Sequence, residues 1–304
     1  MEFDWTQLLN TADEISAENV ATSSKNSYLS RIATYERTLT KMQIDPYPIT
    51  IDKMKGFLVL KMKSNKKYST LANYIAAFSY YFRQNKLDIL TNSLEFKNFK
   101  AGLRRLMHGD TYPNSKLPFN HTWFLSYLEK FSLNNLDDLK FMFFMTLSFS
   151  AFLRISELMN LKRKNINLSD DNQILTITIE SSKTDQFGRQ VETYVYYNDT
   201  PWCPIKYLNA IDNLNPDDNI CNCSEHALRS HLTVVLRMIG VEDASSYSWH
   251  SFRRGGAYLC GLNGVPDSII KAHGRWKSSA YIRYVNVEMP IAGQKVACAL
   301  SNIK

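Results

Sequence analysis

The stretch WHSFRRGGA at residues 249–257 has the most informative spacing in this sequence. His250 and Arg253 are three residues apart, so they share one face of the helix that is predicted to begin here. The amino end of a helix favours a bound anion, because its first N–H groups are unpaired and its dipole is positive. A second donor-rich stretch, HGRWKS at 273–278, follows downstream. The two stretches together predict an anion site in the second half of the chain.

Two upstream segments carry further candidate residues. Arg154 directly follows the apolar segment 141–153, and a buried arginine needs an anion. Glu157, three residues on, is one candidate for that anion, which would make the pair a structural salt bridge. Lys183 begins the polar segment 183–189, which is predicted to join two strands as a hairpin. A lysine at such a tip is either a solvated surface charge or a functional donor.

The composition indicates a folded chain without a membrane span. Hydrophobic residues make up 44% and charged residues 21% of the sequence, close to the average for globular domains. No apolar run reaches eighteen residues, and the N-terminus lacks the basic and apolar regions of a secretory signal. The five cysteines are odd in number and scattered, which predicts a reducing compartment and no disulfide framework.

The net charge of +7 is concentrated at one end of the chain. Residues 1–108 contain sixteen Lys and Arg against ten Asp and Glu, whereas the remainder contains twenty against nineteen. A localised excess of this kind predicts a polyanionic partner, with nucleic acid first. The alternative is simply the solvated surface of a basic protein.

Apolar periodicity divides the chain into a helical domain over 1–107, a linker over 108–120 and a larger domain over 121–304. The first domain is predicted to hold four amphipathic helices, with candidate caps at Ser23 or Ser24, Thr50 and Ser69. Its first helix has an apolar stripe at spacings of three and four residues: Tyr28, Ile32, Tyr35, Leu39 and Met42. The fourth helix, from about 95 to 107, has an apolar face that includes Leu106 and a basic stripe of Lys97, Lys100 and Arg104. In the larger domain we predict strands at 174–179 and 191–197 and helices at 121–131, 137–162, 204–213, 225–239, 250–263, 266–273 and 279–289.

Taken in order, the chemical elements resemble the tyrosine recombinase (phage integrase) family. The pattern of that family is an Arg, a hairpin Lys, His-x-x-Arg, a Gly-His or Gly-Trp, and a nucleophilic Tyr. The matching catalytic candidates are Arg154, Lys183, His250, Arg253, Trp276 and Tyr284. The helical domain resembles the core-binding domain of the family, so the resemblance covers nearly the whole chain. The stretches SKTDQFGR, HSFRRGGA and GRWKS are most similar to the recombinases of Crypton and DIRS-type mobile elements.

The resemblance implies a mainly α fold with a small β-hairpin or sheet. A four-helix SAM-like core-binding domain would precede an α+β catalytic domain with a C-terminal tail. The implied activity is site-specific cleavage and rejoining of double-stranded DNA through a 3′-phosphotyrosine, without metal, cofactor or ATP. The implied assembly is a dimer on one site and a tetramer in synapsis. No membrane is involved, and the location would be nuclear for a eukaryotic mobile element and otherwise cytoplasmic.

The resemblance also implies roles for the matched residues. Arg154 and Arg253 would clamp the non-bridging oxygens of the scissile phosphate, and Tyr284 would attack the phosphorus. Lys183 would protonate the departing 5′-oxygen, and His250 would transfer a proton or position the phosphate. Trp276 would donate from its indole N–H. In the first domain, Lys97, Lys100 and Arg104 would contact the DNA.

Several alternatives stay open at the level of sequence. Arg275 lies nine residues before Tyr284, the usual spacing for the His or Trp, whereas Trp276 is of the usual type but only eight residues before it. Tyr281 shares a predicted helix face with Tyr284. The tail, 286–304, could pack on its own domain or on a neighbouring copy. The cysteines and histidines between 221 and 231 fit no common zinc spacing.

Two other classes of function compete with the recombinase. One is a non-enzymatic DNA-binding protein derived from a recombinase, which would be expected to lack the nucleophile or an arginine. The other is a type IB topoisomerase, which shares the chemistry. The small four-helix domain favours the recombinase over the topoisomerase.

Overall fold

The computed structural model describes residues 20–107, 116–180, 190–278 and 281–282, together with Asp4, Leu8 and Thr11. The chain divides into two units, Met1–Pro113 and Asn114–Lys304. The described part of the predicted linker, residues 116–120, belongs to the second unit. There the backbone N–H groups of Leu117 and Phe119 donate to the carbonyls of Ser246 and Ser251, each at 2.9 Å.

The first unit contains the four predicted helices around an aromatic core. They are α1 (Thr22–Lys41), α2 (Ile51–Lys63), α3 (Tyr68–Gln84) and α4 (Leu94–Leu106). Tyr35 of α1 is fully buried, with ring contacts of 5.3 Å to Phe57 of α2 and 5.1 Å to Phe78 of α3, both edge-on. Edge-to-face packing at these distances adds to the stabilisation from burial alone.

The predicted helix caps are partly confirmed. Thr50 caps α2, because its hydroxyl accepts from the Lys53 N–H at 3.3 Å. The predicted caps at Ser23 and Ser24 are wrong, since the carbonyl of Ala21 already accepts from the Ser24 N–H at 2.8 Å. The cap at Ser69 is also wrong: α3 begins one residue earlier, with Tyr68 packed against the core.

Two predicted apolar positions lie outside the core. Met42 follows the end of α1 and is 52% exposed, and Leu106 in the last turn of α4 is 67% exposed. The predicted basic stripe of α4 is solvent-exposed at all three residues: Lys97, Lys100 and Arg104. This helix therefore presents a cationic surface.

The second unit packs helices around a small antiparallel sheet. The described helices are α5 (Trp123–Lys130), α6 (Leu136–Ser150), α7 (Ile155–Asn160), α8 (Glu225–Met238), α9 (His250–Leu262) and α10 (Asp267–His273). The predicted helix at 204–213 is a 3₁₀ segment, Pro204–Ile211. The strands are β1 (Ile166–Leu168), β2 (Ile174–Ile179) and β3 (Val191–Tyr196), in the order β1-β2-β3. The three-residue β1 is too short to give an alternating pattern and escaped prediction.

The predicted single helix over 137–162 is wrong, because the chain turns sharply after α6. Phe152 adopts a left-handed backbone conformation with φ of 49°, which a bulky side chain rarely accepts and which no helix can continue. The chain re-enters a helix only at Ile155, where α7 begins. The turn 151–154 places Arg154 at the start of a new helix instead of inside a long one.

Two glycines bring α9 close to this turn. A Cβ on Gly256 would lie 2.2 Å from the carbonyl oxygen of Phe149 in α6, and one on Gly255 would lie 2.3 Å from the carbonyl oxygen of Phe119. Neither distance leaves room for a side chain. Gly256 therefore lets the helix that carries His250 and Arg253 pack directly on the end of α6, and Gly255 lets it pack on the backbone of Phe119.

Candidate active site

The turn between α6 and α7 positions the first predicted site residue. Arg154 is the N-cap residue of α7, and its backbone N–H donates to Oε2 of Glu157 at 2.9 Å. Nη1 of the Arg154 side chain donates to Oε1 of the same carboxylate. The predicted ion pair of Arg154 with Glu157 is therefore confirmed. The Arg154 side chain keeps 19% of its surface exposed, whereas that of Glu157 keeps 1%.

Arg253 of α9 is fully buried and joins three segments. Its Nη1 atom donates to the carbonyl of Phe152 in the turn, and its Nη2 atom donates to the carbonyl of Gly274 after α10. Nη1 also lies 4.0 Å from Oε2 of Glu157. The guanidinium carbon is 4.3 Å from the ring centroid of Trp276, within cation–π range. Trp276 therefore packs on Arg253.

Arg275 brings a third guanidinium to the same carboxylate. Its Nη2 atom donates to Oε2 of Glu157 at 3.0 Å, and only 11% of its side-chain surface is exposed. From the sequence, Arg275 is only the alternative to Trp276, and its contact with Glu157 is not predicted. The available signal was the shortage of acidic residues near 273–278, since a second buried arginine must share the anion of the first.

The four side chains of this cluster, three guanidiniums and one carboxylate, carry a net positive charge. Burial alone would raise the pKa of Glu157, but the guanidiniums of Arg275, Arg154 and Arg253 lower it, so the carboxylate is ionised. With Glu157 ionised, the three guanidiniums and this carboxylate together carry a net charge of +2. A partly buried surplus of this kind favours a bound anion.

His250 begins α9 close to these charges. Burial, followed by the positive charges of Arg253, Arg254 and Arg154, lowers the pKa of His250 to about 4. The imidazole is therefore neutral at neutral pH and can donate or accept a hydrogen bond. A phosphate placed beside it would raise this pKa, because a nearby negative charge favours the protonated form.

The lowered pKa of His250 predicts acid sensitivity of folding. His250 is protonated less readily in the folded than in the unfolded state. Its contribution to the free energy of unfolding is therefore fully present above pH 6.5, the ordinary histidine pKa. It is lost as the pH falls from 6.5 towards 4, to a limit of about 3 kcal/mol. We expect His250→Gln to flatten the pH dependence of the unfolding free energy in this window.

Denaturant unfolding at a series of pH values between 7 and 4 measures this pH dependence of the unfolding free energy. Burial also lowers the pKa of His273, so wild-type protein should lose more stability than the His250 share. The exposed His226 on α8 provides the control variant, His226→Gln. An identical pH slope in wild type and His250→Gln would contradict the assignment.

The remaining tyrosine and lysine candidates are placed differently. Lys183 and Tyr284 lie outside the described residues. Tyr281 is described: its ring is 6.1 Å from that of Trp276, and its hydroxyl lies 3.5 Å from Oδ2 of Asp267. These contacts make Tyr281 part of a small apolar cluster with Trp276 and Phe152.

Within the described ranges, no group of three or more His, Cys, Asp or Glu side chains is arranged to hold a metal ion. The Sγ atoms of Cys221 and Cys223 are 3.5 Å apart without a third ligand in that part of the chain. None of the helices described is both long and apolar enough to span a bilayer.

The fold is that of the tyrosine recombinases and integrases. The XerH site-specific recombinase, in a post-cleavage complex with a palindromic difH substrate, matches with a TM-score of 0.65 and 16% identity over 94% of this chain and 81% of its own. The Tn1549 transposon integrase, in complex with circular intermediate DNA, matches with a TM-score of 0.62 and 14% identity over 95% of this chain and 97% of its own. A lambda integrase dimer bound to a COC′ core site matches with a TM-score of 0.60 and 15% identity over 93% of this chain and 77% of its own. No protein-family model and no curated protein matches the chain.

Proposed function

We propose that this protein is a site-specific DNA recombinase that cleaves and rejoins double-stranded DNA through a 3′-phosphotyrosine. One observation carries the proposal: three guanidiniums are grouped around a single carboxylate, so that these four side chains carry a net charge of +2 beside a neutral histidine. A phosphodiester carries one negative charge, and its pentacoordinate transition state carries more. The cluster therefore binds the transition state more strongly than the ground state, which is the requirement for catalysis.

The arginines differ in their access to a phosphate. The partly exposed guanidinium of Arg154 is the direct phosphate ligand in this proposal. Arg253 is buried, with Nη1 and Nη2 on main-chain carbonyls, so it contributes mainly charge until the site rearranges around DNA. Trp276 covers Arg253 and takes the Gly-His/Trp position of the family pattern.

The covalent step assigns one role to each remaining residue. The Tyr284 hydroxyl attacks the phosphorus, its proton passes to His250 or to water, and the bond to the 5′-oxygen breaks. Lys183 protonates that leaving oxygen. Attack of another strand's 5′-hydroxyl on the phosphotyrosine reverses the step and releases the tyrosine. The energy of the phosphodiester is retained throughout, so ATP is not consumed.

The protein binds DNA as a homo-oligomer in this proposal, as a dimer on one site and a tetramer in synapsis. A mobile element of the Crypton or DIRS type is the proposed source, and the DNA that flanks the gene is then the natural substrate. Sequencing of recombinant junctions formed on that DNA tests the function. Relaxation of any supercoiled plasmid without a preferred site would favour the topoisomerase, and binding without cleavage would favour the non-enzymatic protein.

We expect the exposed stripe of α4 to contact DNA phosphates. Replacement of Lys97, Lys100 and Arg104 together by Ala should reduce the slope of log K against log salt by about 0.9 for each lost contact. A matched control removes three exposed lysines outside α4 and should leave the slope unchanged: Lys41 of α1, Lys63 of α2 and Lys66 in the connection between α2 and α3. Titration of a fluorescent duplex at several salt concentrations measures the slope for each variant. Equal slopes for the α4 variant and wild type would remove α4 from the interface.

A further inference from the structure

Arg275 occupies the position nine residues before the proposed nucleophile, yet its contacts point inward. We propose that Arg275 is a positioning residue: it holds Glu157 and the turn 151–154 in place, and it does not bind the phosphate. This inference rests on the proposed function for its catalytic part. Its structural part, the link between Arg275 and Glu157, can be tested independently.

The hydrogen bonds of Arg275 use all of its Nη donors. Nη1 donates to the carbonyls of Ala151 at 3.2 Å and His273 at 3.0 Å. Nη2 donates to the carbonyl of Phe152 at 3.1 Å and to Oε2 of Glu157 at 3.0 Å. The Nε atom is itself buried. The two Nη atoms carry four hydrogens, so none of them remains for a phosphate oxygen.

These four acceptors come from separate parts of the second unit. Ala151 and Phe152 belong to the turn after α6, Glu157 to α7, and His273 to the end of α10. A second bond spans the same gap, between Nε2 of His273 and the carbonyl of Ser150 at 2.8 Å. Arg275 therefore fastens α10 to the turn that presents Arg154.

The backbone of Arg275 also places its neighbours. Its φ of 56° turns the chain sharply, so that the Trp276 ring folds back over Gly274. A Cβ at Gly274 would lie 1.8 Å from that ring. The same turn directs the Gly274 carbonyl to Nη2 of Arg253 and sets the Trp276 ring on its guanidinium. Arg275 thereby contacts the supports of both predicted phosphate-clamping arginines.

Loss of Arg275 should disturb the reaction more than DNA binding. Glu157 would keep its two bonds with Arg154, one of them from the backbone N–H to Oε2, but would lose the hydrogen bond from Arg275 to Oε2. With that bond gone, the carboxylate and the Arg154 guanidinium would be less firmly oriented. Misplacement of a catalytic group by about 1 Å costs on the order of 100-fold in rate. Lysine cannot replace Arg275 here. The planar guanidinium donates to four acceptors on two sides, and a single ammonium group cannot reach all of them.

The test compares Arg275→Gln, Arg275→Lys, Glu157→Gln and the double variant Arg275→Gln/Glu157→Gln with wild type. The control is Arg237→Gln, which removes one charge from the exposed face of α8. Single-turnover cleavage, DNA affinity with its salt slope, and the denaturant midpoint are measured for each. We expect Arg275→Gln and Arg275→Lys to cleave about 100-fold more slowly, with affinity within about threefold of wild type and an unchanged salt slope. Arg237→Gln should cleave normally.

The double variant distinguishes positioning from phosphate binding. If Arg275 acts through Glu157, the double variant should cleave about as slowly as the worse single variant, and its midpoint shift should be smaller than the sum of the single shifts. Multiplied rate losses together with a salt slope reduced by about 0.9 would instead make Arg275 a phosphate ligand and overturn the proposal. If wild type does not cleave, the proposed function fails, whereas additive midpoint shifts would refute the Arg275–Glu157 link alone.

Discussion

Arg154→Ala should reduce the rate of DNA cleavage by about a thousandfold and change DNA affinity little. Removal of a single preorganised donor from a charged transition state costs roughly 100- to 1000-fold in rate. Arg154 is the cluster arginine that we propose as the direct phosphate ligand. Affinity should persist because it comes mainly from many phosphate contacts along the duplex. The rate and the affinity are measured on the same duplex by single-turnover cleavage and fluorescence titration.

The protein should still fold without Arg154. Glu157 retains the Arg275 guanidinium at 3.0 Å and that of Arg253 at 4.0 Å, so its buried charge keeps a partner. The corresponding variant Arg253→Ala is less informative, because it leaves the carbonyls of Phe152 and Gly274 without their donor and opens a cavity beneath Trp276. Arg154→Lys refines the test: lysine keeps the charge but loses the bidentate fork. Cleavage by Arg154→Ala at the wild-type rate would exclude Arg154 from the site.

Much of the architecture follows from periodicity in the sequence. The stripe through Ile32, Tyr35 and Leu39 is buried as predicted. The strand of alternating residues at 174–179 also forms with the predicted bounds. Both patterns repeat over several residues, and a regular helix or strand places all of their apolar side chains on one buried face. The order of chemical motifs then predicted the fold class, which the solved recombinase structures confirm.

The break at 151–154 could not be predicted in the same way. The apolar run continues through Phe152 and Leu153, and nothing local marks Phe152 for a left-handed conformation. The structure accepts it because the freed Phe152 carbonyl receives Arg253 and Arg275, whose sequence positions are about a hundred residues away. Long-range hydrogen bonds therefore outweigh a local preference, as they often do at functional sites.

The contacts of the individual residues in the cluster could also be predicted only in part. A buried arginine beside Glu157 predicted one ion pair, and that pair forms. The sequence could not show that Arg275 shares the same carboxylate, because the contact depends on how α10 packs on the turn. Spacing alone left Arg275 and Trp276 as alternatives. The geometry gives them different tasks: Trp276 stacks on Arg253, and Arg275 bonds Glu157.

Tyr284→Phe should abolish covalent attachment to DNA, because it removes the hydroxyl that we propose as the nucleophile and changes nothing else in the side chain. Tyr281→Phe is the matched control, with the same change three residues away on a tyrosine that packs near Trp276. Tyrosine suits a reversible intermediate, since a phenolate with an ordinary pKa of about 10 leaves more easily than an alkoxide. Binding to DNA should be the same for both variants and wild type.

The most direct measurement of the central claim uses a nicked suicide substrate made from the DNA that flanks the gene. Cleavage releases a short fragment with a 5′-hydroxyl, which diffuses away and leaves the protein attached. We expect an SDS-resistant protein–DNA adduct in the presence of EDTA from wild type and from Tyr281→Phe, and none from Tyr284→Phe. An adduct that Tyr284→Phe still forms, or no adduct from wild-type protein on these ends, would contradict it.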